Sequence, residues 1–282
     1  MRIFVAGATG VIGQRLLPML IAAGHAVTGM TRTAERASQL RSLGAEPVRA
    51  DAFDRDAMHA ALQRARPDVL VHQLTDLRAG GSAANAALRR EGTRNLVDAG
   101  LAAGVRRIIA QSISWAYEPG EVPAAEHVPL DLEAPEPRRS TVSGIAALED
   151  AVRELPEWVV LRYGLLYGRG TFYTRDGAAG ADALAGRLTA GTDVASFVHA
   201  DDAAAAAAAA LAWPSGAVNV CDDEPAAGRE WVPEFCRAIG APAPPVSDAP
   251  RAGWARGADN RRARKELGWR PRHVTWRAGF AT

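Results

Sequence analysis

The first half of the chain alternates short apolar runs with longer stretches of helical periodicity. Residues 3–6, 25–30, 46–50, 69–72 and 107–111 are apolar runs of strand length. Between them, 12–23, 34–43, 55–64 and 83–103 carry apolar side chains at helical spacing, and Gly24, Gly44 and Gly104 stand where three of these helices should stop. A further helix over 141–155 and a strand over 158–163 continue the series. Strands alternating with helices of this length predict βαβ units and an α/β fold built on a doubly wound parallel sheet.

Beyond residue 168 the rhythm breaks. Residues 169–193, rich in Gly, Thr and Ala, read as an excursion from the sheet. A short strand over 196–199 follows, and Asp201 and Asp202 cap a helix through eight consecutive alanines. That run is a strong helix former and not a sign of disorder. A strand over 217–221, a helix over 229–239, a proline-rich linker over 242–250 and a short basic helix over 260–267 complete the pattern. Residues 118–139 hold Pro119, Pro123, Pro129, Pro135 and Pro137 and predict a long loop, of the kind that serves as a lid. The expected organisation is a nucleotide-binding domain over 1–168, to which 194–223 returns, and a smaller substrate lobe formed by 169–193 and 224–282.

Composition narrows the function classes. A net charge of +1 gives no field to draw nucleic acid or an anionic membrane. No apolar run approaches the ~20 residues of a membrane span, and no leader pattern opens the chain, so a cytoplasmic location is expected. Cys221 and Cys236 lack metal or disulfide spacing and read as buried hydrophobes; no metal is expected. Lys265 is the only lysine among 33 basic residues, so any chemistry that needs a lysine must use that one.

Gly7-Ala8-Thr9-Gly10-Val11-Ile12-Gly13 lies between the first strand and the first helix. A tight turn, free backbone amides and the positive end of a helix dipole coincide there, which is the fingerprint of dinucleotide binding on a Rossmann-type sheet. After the second strand, where NAD binders place an acid on the ribose, the chain reads Thr31-Arg32-Thr33-Ala34-Glu35-Arg36. Arg32 and Arg36, with the Thr31 hydroxyl, suit a 2′-phosphate, so NADP is expected over NAD. Asp51, just after the third strand, is positioned to accept from the adenine amino group.

These residues and six further segments resemble an extended short-chain dehydrogenase/reductase of the NAD-dependent epimerase/dehydratase type. The segments are Arg49-Ala50-Asp51, Asp68-Val69-Leu70-Val71-His72, Gly92-Thr93-Arg94-Asn95-Leu96, Leu161-Arg162-Tyr163-Gly164-Leu165-Leu166-Tyr167-Gly168, Phe197-Val198-His199-Ala200-Asp201-Asp202 and Lys265-Glu266-Leu267-Gly268-Trp269-Arg270-Pro271. They follow the family's order across nearly the whole chain. The resemblance implies that Leu74 and Thr75 line the cofactor and that Tyr163 lies near the nicotinamide. It gives His72 and His199 structural roles, and implies a homodimer formed through the helices 83–103 and 141–155.

One part of the family pattern is missing. Its members use a tyrosine as general acid/base and a lysine four residues later that lowers the phenol's pKa. With Glu149 aligned to the glutamate that this family often carries, the resemblance puts Thr141 at the tyrosine position and Ile145 at the lysine position. No register restores the motif, since Tyr117, Tyr163, Tyr167 and Tyr173 are followed four residues on by Glu121, Tyr167, Thr171 and Gly177. The remaining candidates for substrate chemistry are Ser112 and Ser114 after the fifth strand, Tyr163, and Thr141. Trp115 and Tyr117 are candidates to line a pocket, and Glu118, Glu126 and His127 candidate bases on the long loop. An unassisted phenol, protonated at neutral pH, donates a proton but does not take one. That favours an NADP-dependent reductase acting on a carbonyl or activated alkene of a small, fairly apolar molecule. The alternatives are an isomerase, dehydratase or cyclase on the same fold, or a non-catalytic NADP-binding sensor or partner protein.

Overall fold

The computed structural model describes residues 1–75 and 82–280. The chain divides into two compact units. One comprises 1–112, 132–161 and 207–217, the other 113–131, 162–206 and 218–282. The residues 169–193 and 224–282 lie in the second unit, which also takes in 113–131, 162–168 and most of 194–223.

A seven-stranded sheet organises the first unit. Its strands are β1 (Arg2–Ala6), β2 (Ala26–Thr31), β3 (Glu46–Arg49), β4 (Val69–His72), β5 (Arg107–Ile113), β6 (Glu157–Tyr163) and, from the later chain, a strand over Gly216–Val220. The spatial order runs from that last strand through β6, β5, β4, β1 and β2 to β3, and the pairs β1–β2, β1–β4, β2–β3 and β4–β5 are parallel. The order reverses at β1, so a crevice opens at the carboxyl end of that strand, where such sheets bind nucleotides. Helices α1 (Val11–Ala22), α2 (Ala34–Ser42) and α3 (Arg55–Ala65) connect the early strands. Phe4, Met58, Leu62, Leu70, Leu96 and Ile108 form the core, with Leu148 and Val152 of α6 (Arg138–Val152) packed into it.

The long helix expected over 83–103 is interrupted. It is α-helical over Ser82–Ala87 (α4) and Thr93–Ala102 (α5), with a π turn over Leu88–Gly92 between them. A π turn carries one extra residue, and such bulges recur at functional sites. Periodicity alone does not reveal it, because apolar spacing on either side stays helical. Asp201 and Asp202 lie inside the first turn of α8 (Ala200–Ala209), downstream of the expected cap position. The expected basic helix near the C-terminus is a π turn over Arg262–Glu266.

The second unit has its own core of Tyr167, Phe197, Trp231, Phe235, Trp276 and Phe280. Its elements include β7 (Leu165–Tyr167), β8 (Val194–Ala195), β9 (Phe197–His199), β10, which is the Gly216–Val220 strand just described, and α9 (Gly228–Ile239). Tyr173 sits edge-on to Phe197, Trp231 and Phe235, and burial pushes its phenol up to about 12. The proline-rich stretch is not a free lid over 118–131. Gly120 N–H donates to the Gly253 carbonyl, Ala124 N–H to Gly257, and Asp259 N–H to Ala124. Asn219 adds a side-chain hub: it accepts from the Tyr117 hydroxyl and donates to the carbonyls of Ala124 and Asp259.

Asp202, 1% exposed, fixes the returning C-terminal segment. Its carboxylate accepts from the backbone N–H of Arg272 and of His273 at 2.9 Å each, and lies 2.9 Å from His273 Nδ1. Asp202→Ala leaves two part-buried amides and the His273 ring without this acceptor, at up to about 1–3 kcal/mol per group. The expected outcome is a fall in Tm of about 5–10 °C in a thermal melt. A shift under about 1 °C would mean that apolar anchoring by Trp276 and Phe280 suffices.

Asp222 is the opposite case. Burial, before any other cause, pushes its carboxyl up to about 8, and among the described residues Oδ2 has no partner. The folded protein therefore holds a proton there that the unfolded chain releases near 3.8. Bound protons favour the folded state, so this contribution is complete below pH 3.8 and is lost as pH rises through about 8. Asp222→Asn removes it: the variant's Tm, relative to the parent's, rises between pH 5 and pH 8. Parallel Tm curves for the two proteins over that range would refute the assignment.

Candidate active site

The turn after β1 is dictated by backbone contact. Gly7 has φ +91°, and a Cβ there would lie 2.4 Å from the Gln73 carbonyl oxygen. A Cβ on Gly13 would lie 2.3 Å from the Gly7 oxygen, so α1 crosses the turn at a distance that only glycine permits. Gly10 differs. It is exposed, its Cβ would meet only the Gly7 oxygen at 3.3 Å, and it caps α1 without a side-chain hydrogen bond. The protein's own packing needs Gly7 and Gly13, while the bare backbone at Gly10 leaves the helix N-terminus open to an anion. A dinucleotide pyrophosphate fits this cradle. Val11 and Ile12 open α1, with Ile12 buried.

The turn after β2 reaches back to the same loop. Arg36 Nη1 donates to Thr9 Oγ1 at 3.3 Å, and Arg36 is half-buried while Arg32 is exposed. Thr31 is buried, and its hydroxyl accepts from the Thr33 amide at 3.4 Å. Thr33 in turn caps α2 by accepting from Arg36 N–H. Gly29 of β2 keeps that strand close to Ala8, since a Cβ there would approach the Ala8 methyl at 3.1 Å. Asp51 accepts from the Phe53 amide at 3.1 Å, and Phe53 is 48% exposed beside it.

After β4, the chain is held by the side chains of Gln111 and His72. Gln111 Nε2 donates to the Leu74 carbonyl at 2.6 Å, and the Leu74 amide donates to His72 Nδ1 at 3.2 Å. His72 Nε2 lies 2.9 Å from the Thr93 hydroxyl. Burial, and then the charge of Arg89, holds the His72 imidazole down at about 4, so it is neutral near pH 7. Leu74 is half-buried and Thr75 exposed. Arg89, on the π turn, is itself buried, and burial lowers its guanidinium to about 10.

Helix α6 holds Thr141 and Ile145 at the two positions that the resemblance gives to the acid/base pair. Thr141 is half-buried on its first half, and Ile145 is 1% exposed. Gly144 between them lets α6 approach α4, since a Cβ there would come within 3.2 Å of the Ala86 Cα. Ser112 donates to Glu149 Oε1 at 2.8 Å, and Glu149, fully buried, pairs with Arg153 at 3.0 Å. That pairing ties the hydroxyl of Ser112 to α6.

In the second unit, Tyr163 is 3% exposed, and its hydroxyl donates to the Ala203 carbonyl at 3.3 Å. Ser114 and Trp115 line a cavity of about 540 Å³, together with Leu165, Trp231 and Trp254. The Cys221 thiol, pushed up to about 12 chiefly by burial, donates to Ser114 Oγ at 3.6 Å. Tyr117 is buried behind these residues, stacked under Arg162 and bonded to Asn219. Glu126 accepts from the Asn219 amide at 2.8 Å, and desolvation raises its carboxyl above the usual range. Glu118 and His127 are exposed. Trp231 and Trp254 had no place in the sequence-derived site; the only signal for them was the count of seven tryptophans.

His199, Asp202 and His273 are of metal-ligating type, with one candidate ligand atom from each lying within 4.8 Å of the others. The Asp202 carboxylate is already engaged by two backbone amides and the His273 ring, and the two imidazoles stack at 3.7 Å. This arrangement serves the clamp on the C-terminal segment.

Residues 3–221 match the model of the NAD dependent epimerase/dehydratase family. The chain is 46% identical over 305 aligned positions to a 3-diazoavenalumate denitrifying reductase from Streptomyces, with 99% of each chain covered. It is 31% identical to a UDP-glucose 4-epimerase from Mycolicibacterium smegmatis, over 96% of this chain and 94% of that one. Among solved structures, the UDP-glucose 4-epimerase of Thermus thermophilus in complex with NAD superposes with a TM-score of 0.74 at 27% identity, covering 100% of this chain and 97% of that one. Fold, glycine cradle and relatives agree: this chain is an enzyme of the NAD dependent epimerase/dehydratase family.

Proposed function

We propose that this protein is an NADP-dependent reductase whose hydride acceptor needs no tuned proton relay, an aromatic diazo compound being the acceptor that fits best. The observation that carries this reading is helix α6, with Thr141 and a buried Ile145 at the positions that the family resemblance gives to the acid/base pair. Epimerisation and alcohol oxidation begin by removing a hydroxyl proton, and neither Thr141 nor Ile145 is a base that could take it, while the Glu149 carboxylate of the same helix is already engaged by Ser112 and Arg153. Reduction of a carbonyl ends by giving a proton to an alkoxide. An arenediazonium cation asks for neither. A reduced nicotinamide, when bound, supplies one hydride; against an arenediazonium that hydride replaces dinitrogen, a C–H bond forming as the C–N bond breaks and N2 leaving. The 46% identical reductase, named for a denitrifying reaction on a diazo compound, supports the same choice.

The chain's own residues then bind, orient and exclude. Gly7, Thr9, Gly10, Val11, Ile12 and Gly13 hold the pyrophosphate over the N-terminus of α1. Arg32 and Arg36, with Thr31 shaping their turn, take the 2′-phosphate. Asp51 meets the adenine amino group, and Leu74 and Thr75 border the cofactor. Ser114 is the hydroxyl that orients the acceptor: it lines the cavity, and its oxygen accepts from the Cys221 thiol, which leaves its own proton for the acceptor. Ser112 and Tyr163 are held by Glu149 and Ala203 respectively, and Thr141 is the further hydroxyl on α6 that the family resemblance assigns to the substrate chemistry.

Two measurements test the proposal. NADPH should bind more tightly than NADH, and Arg36→Ala should weaken NADPH by about 10- to 100-fold, the worth of one charge-assisted contact, while leaving NADH nearly unchanged. Tighter binding of NADH to the parent protein would overturn the NADP assignment. With an arenediazonium salt, NADPH should be consumed with release of one equivalent of N2, and Ser114→Ala should cut the rate without abolishing it. NADPH consumption with aldehydes or enones and none with diazonium salts would replace this acceptor by a carbonyl or alkene.

A further inference from the structure

The second unit's cavity carries a charge pattern unlike that needed for a nucleotide sugar. Among the described residues eighteen line it, of which only Asp193 is charged and none is lysine, arginine or histidine. Three are tryptophans: Trp115 after β5, Trp231 on α9, and Trp254 on the segment between Pro250 and Ala255. Several hydroxyls on the wall are spent on the protein itself. Thr192 donates to the Ala249 carbonyl at 2.7 Å, Ser196 donates to Ala258, and Ser247 accepts from the Ala249 amide. Asp193 accepts from the Ala252 amide at 2.8 Å.

A pyrophosphate brings two negative charges into whatever site receives it, and such groups are met by arginine, lysine or a run of free amides. Here the one ionised wall group is a carboxylate, which repels them. Indole faces carry negative potential at their centres and attract flat, electron-poor or cationic rings, by about 0.5–2 kcal/mol per contact. We infer that this cavity binds a planar aromatic ring, neutral or cationic and without phosphate, and that it does not bind nucleotide sugars. The ring lies against Trp254 and Trp115, with the Ser114 hydroxyl as its polar contact. That the bound ring is also the hydride acceptor rests on the reductase reading above; the binding itself does not.

Calorimetric titration of the cofactor-free protein tests the binding alone. The probes are N-methylquinolinium, 2-naphthol and UDP-glucose. The two aromatic probes should bind saturably, the cation more tightly, and UDP-glucose should give no saturable heat. Trp254 and Trp115 are half-buried and outside the aromatic core, so Trp254→Leu and Trp115→Leu should fold normally. Each should weaken the aromatic probes by at least about fivefold, about 1 kcal/mol by the usual conversion, while Trp254→Phe restores most of the loss. Binding of UDP-glucose as tight as that of 2-naphthol would overturn the inference. So would unchanged aromatic affinity in both leucine variants, each checked by its melting curve. Tryptophan-dependent ring binding with no NADPH consumed on any aromatic diazo acceptor would uphold the cavity and defeat the reductase reading. NADPH-driven loss of N2 that survives both leucine variants unchanged would do the reverse.

Discussion

The crossing of α1 over the β1 turn is the contact on which the nucleotide site depends. Two backbone segments meet where a single Cβ on Gly13 would stand 2.3 Å from the Gly7 oxygen. This closeness brings the helix N-terminus to the carboxyl edge of β1, at the point where the strand order turns from β4 to β2. Arg36 extends the arrangement by bonding to Thr9, so the loop after β2 and the glycine turn share a side-chain contact before any ligand arrives. A site assembled in advance loses less conformational entropy on binding.

Much of this was legible in the chain. The glycine turn and the parallel strands follow from local spacing, because each depends on residues near one another in sequence. What spacing concealed was long-range or out of phase. The π turn over Leu88–Gly92 leaves the apolar rhythm on both sides intact, and so passes for continuous helix. The stretch 118–131 looks loose because its prolines forbid regular structure, yet Asn219 and the backbone near Gly257 hold it from about a hundred residues away. The tryptophan cavity draws its walls from five separate stretches of chain, and none of its three tryptophans lies in a motif. Ser112 and Ser114 were equivalent in sequence, and only the partner each meets, Glu149 or Cys221, tells them apart.

The chemistry follows from subtraction more than from addition. A fold associated with epimerases keeps its cofactor cradle while the position expected to hold a lysine becomes an apolar residue of α6. On the reductase reading proposed above, such a scaffold would position a hydride donor for acceptors that need only the hydride.

Ile145 carries a further consequence for the site. Its side chain is sealed from solvent. A lysine restored there would have to bring an ammonium into space now filled by methyl groups, at a cost of several kcal/mol before Thr141 could also become tyrosine. A single change at this position would therefore strain the packing of α6 before it could supply any chemistry.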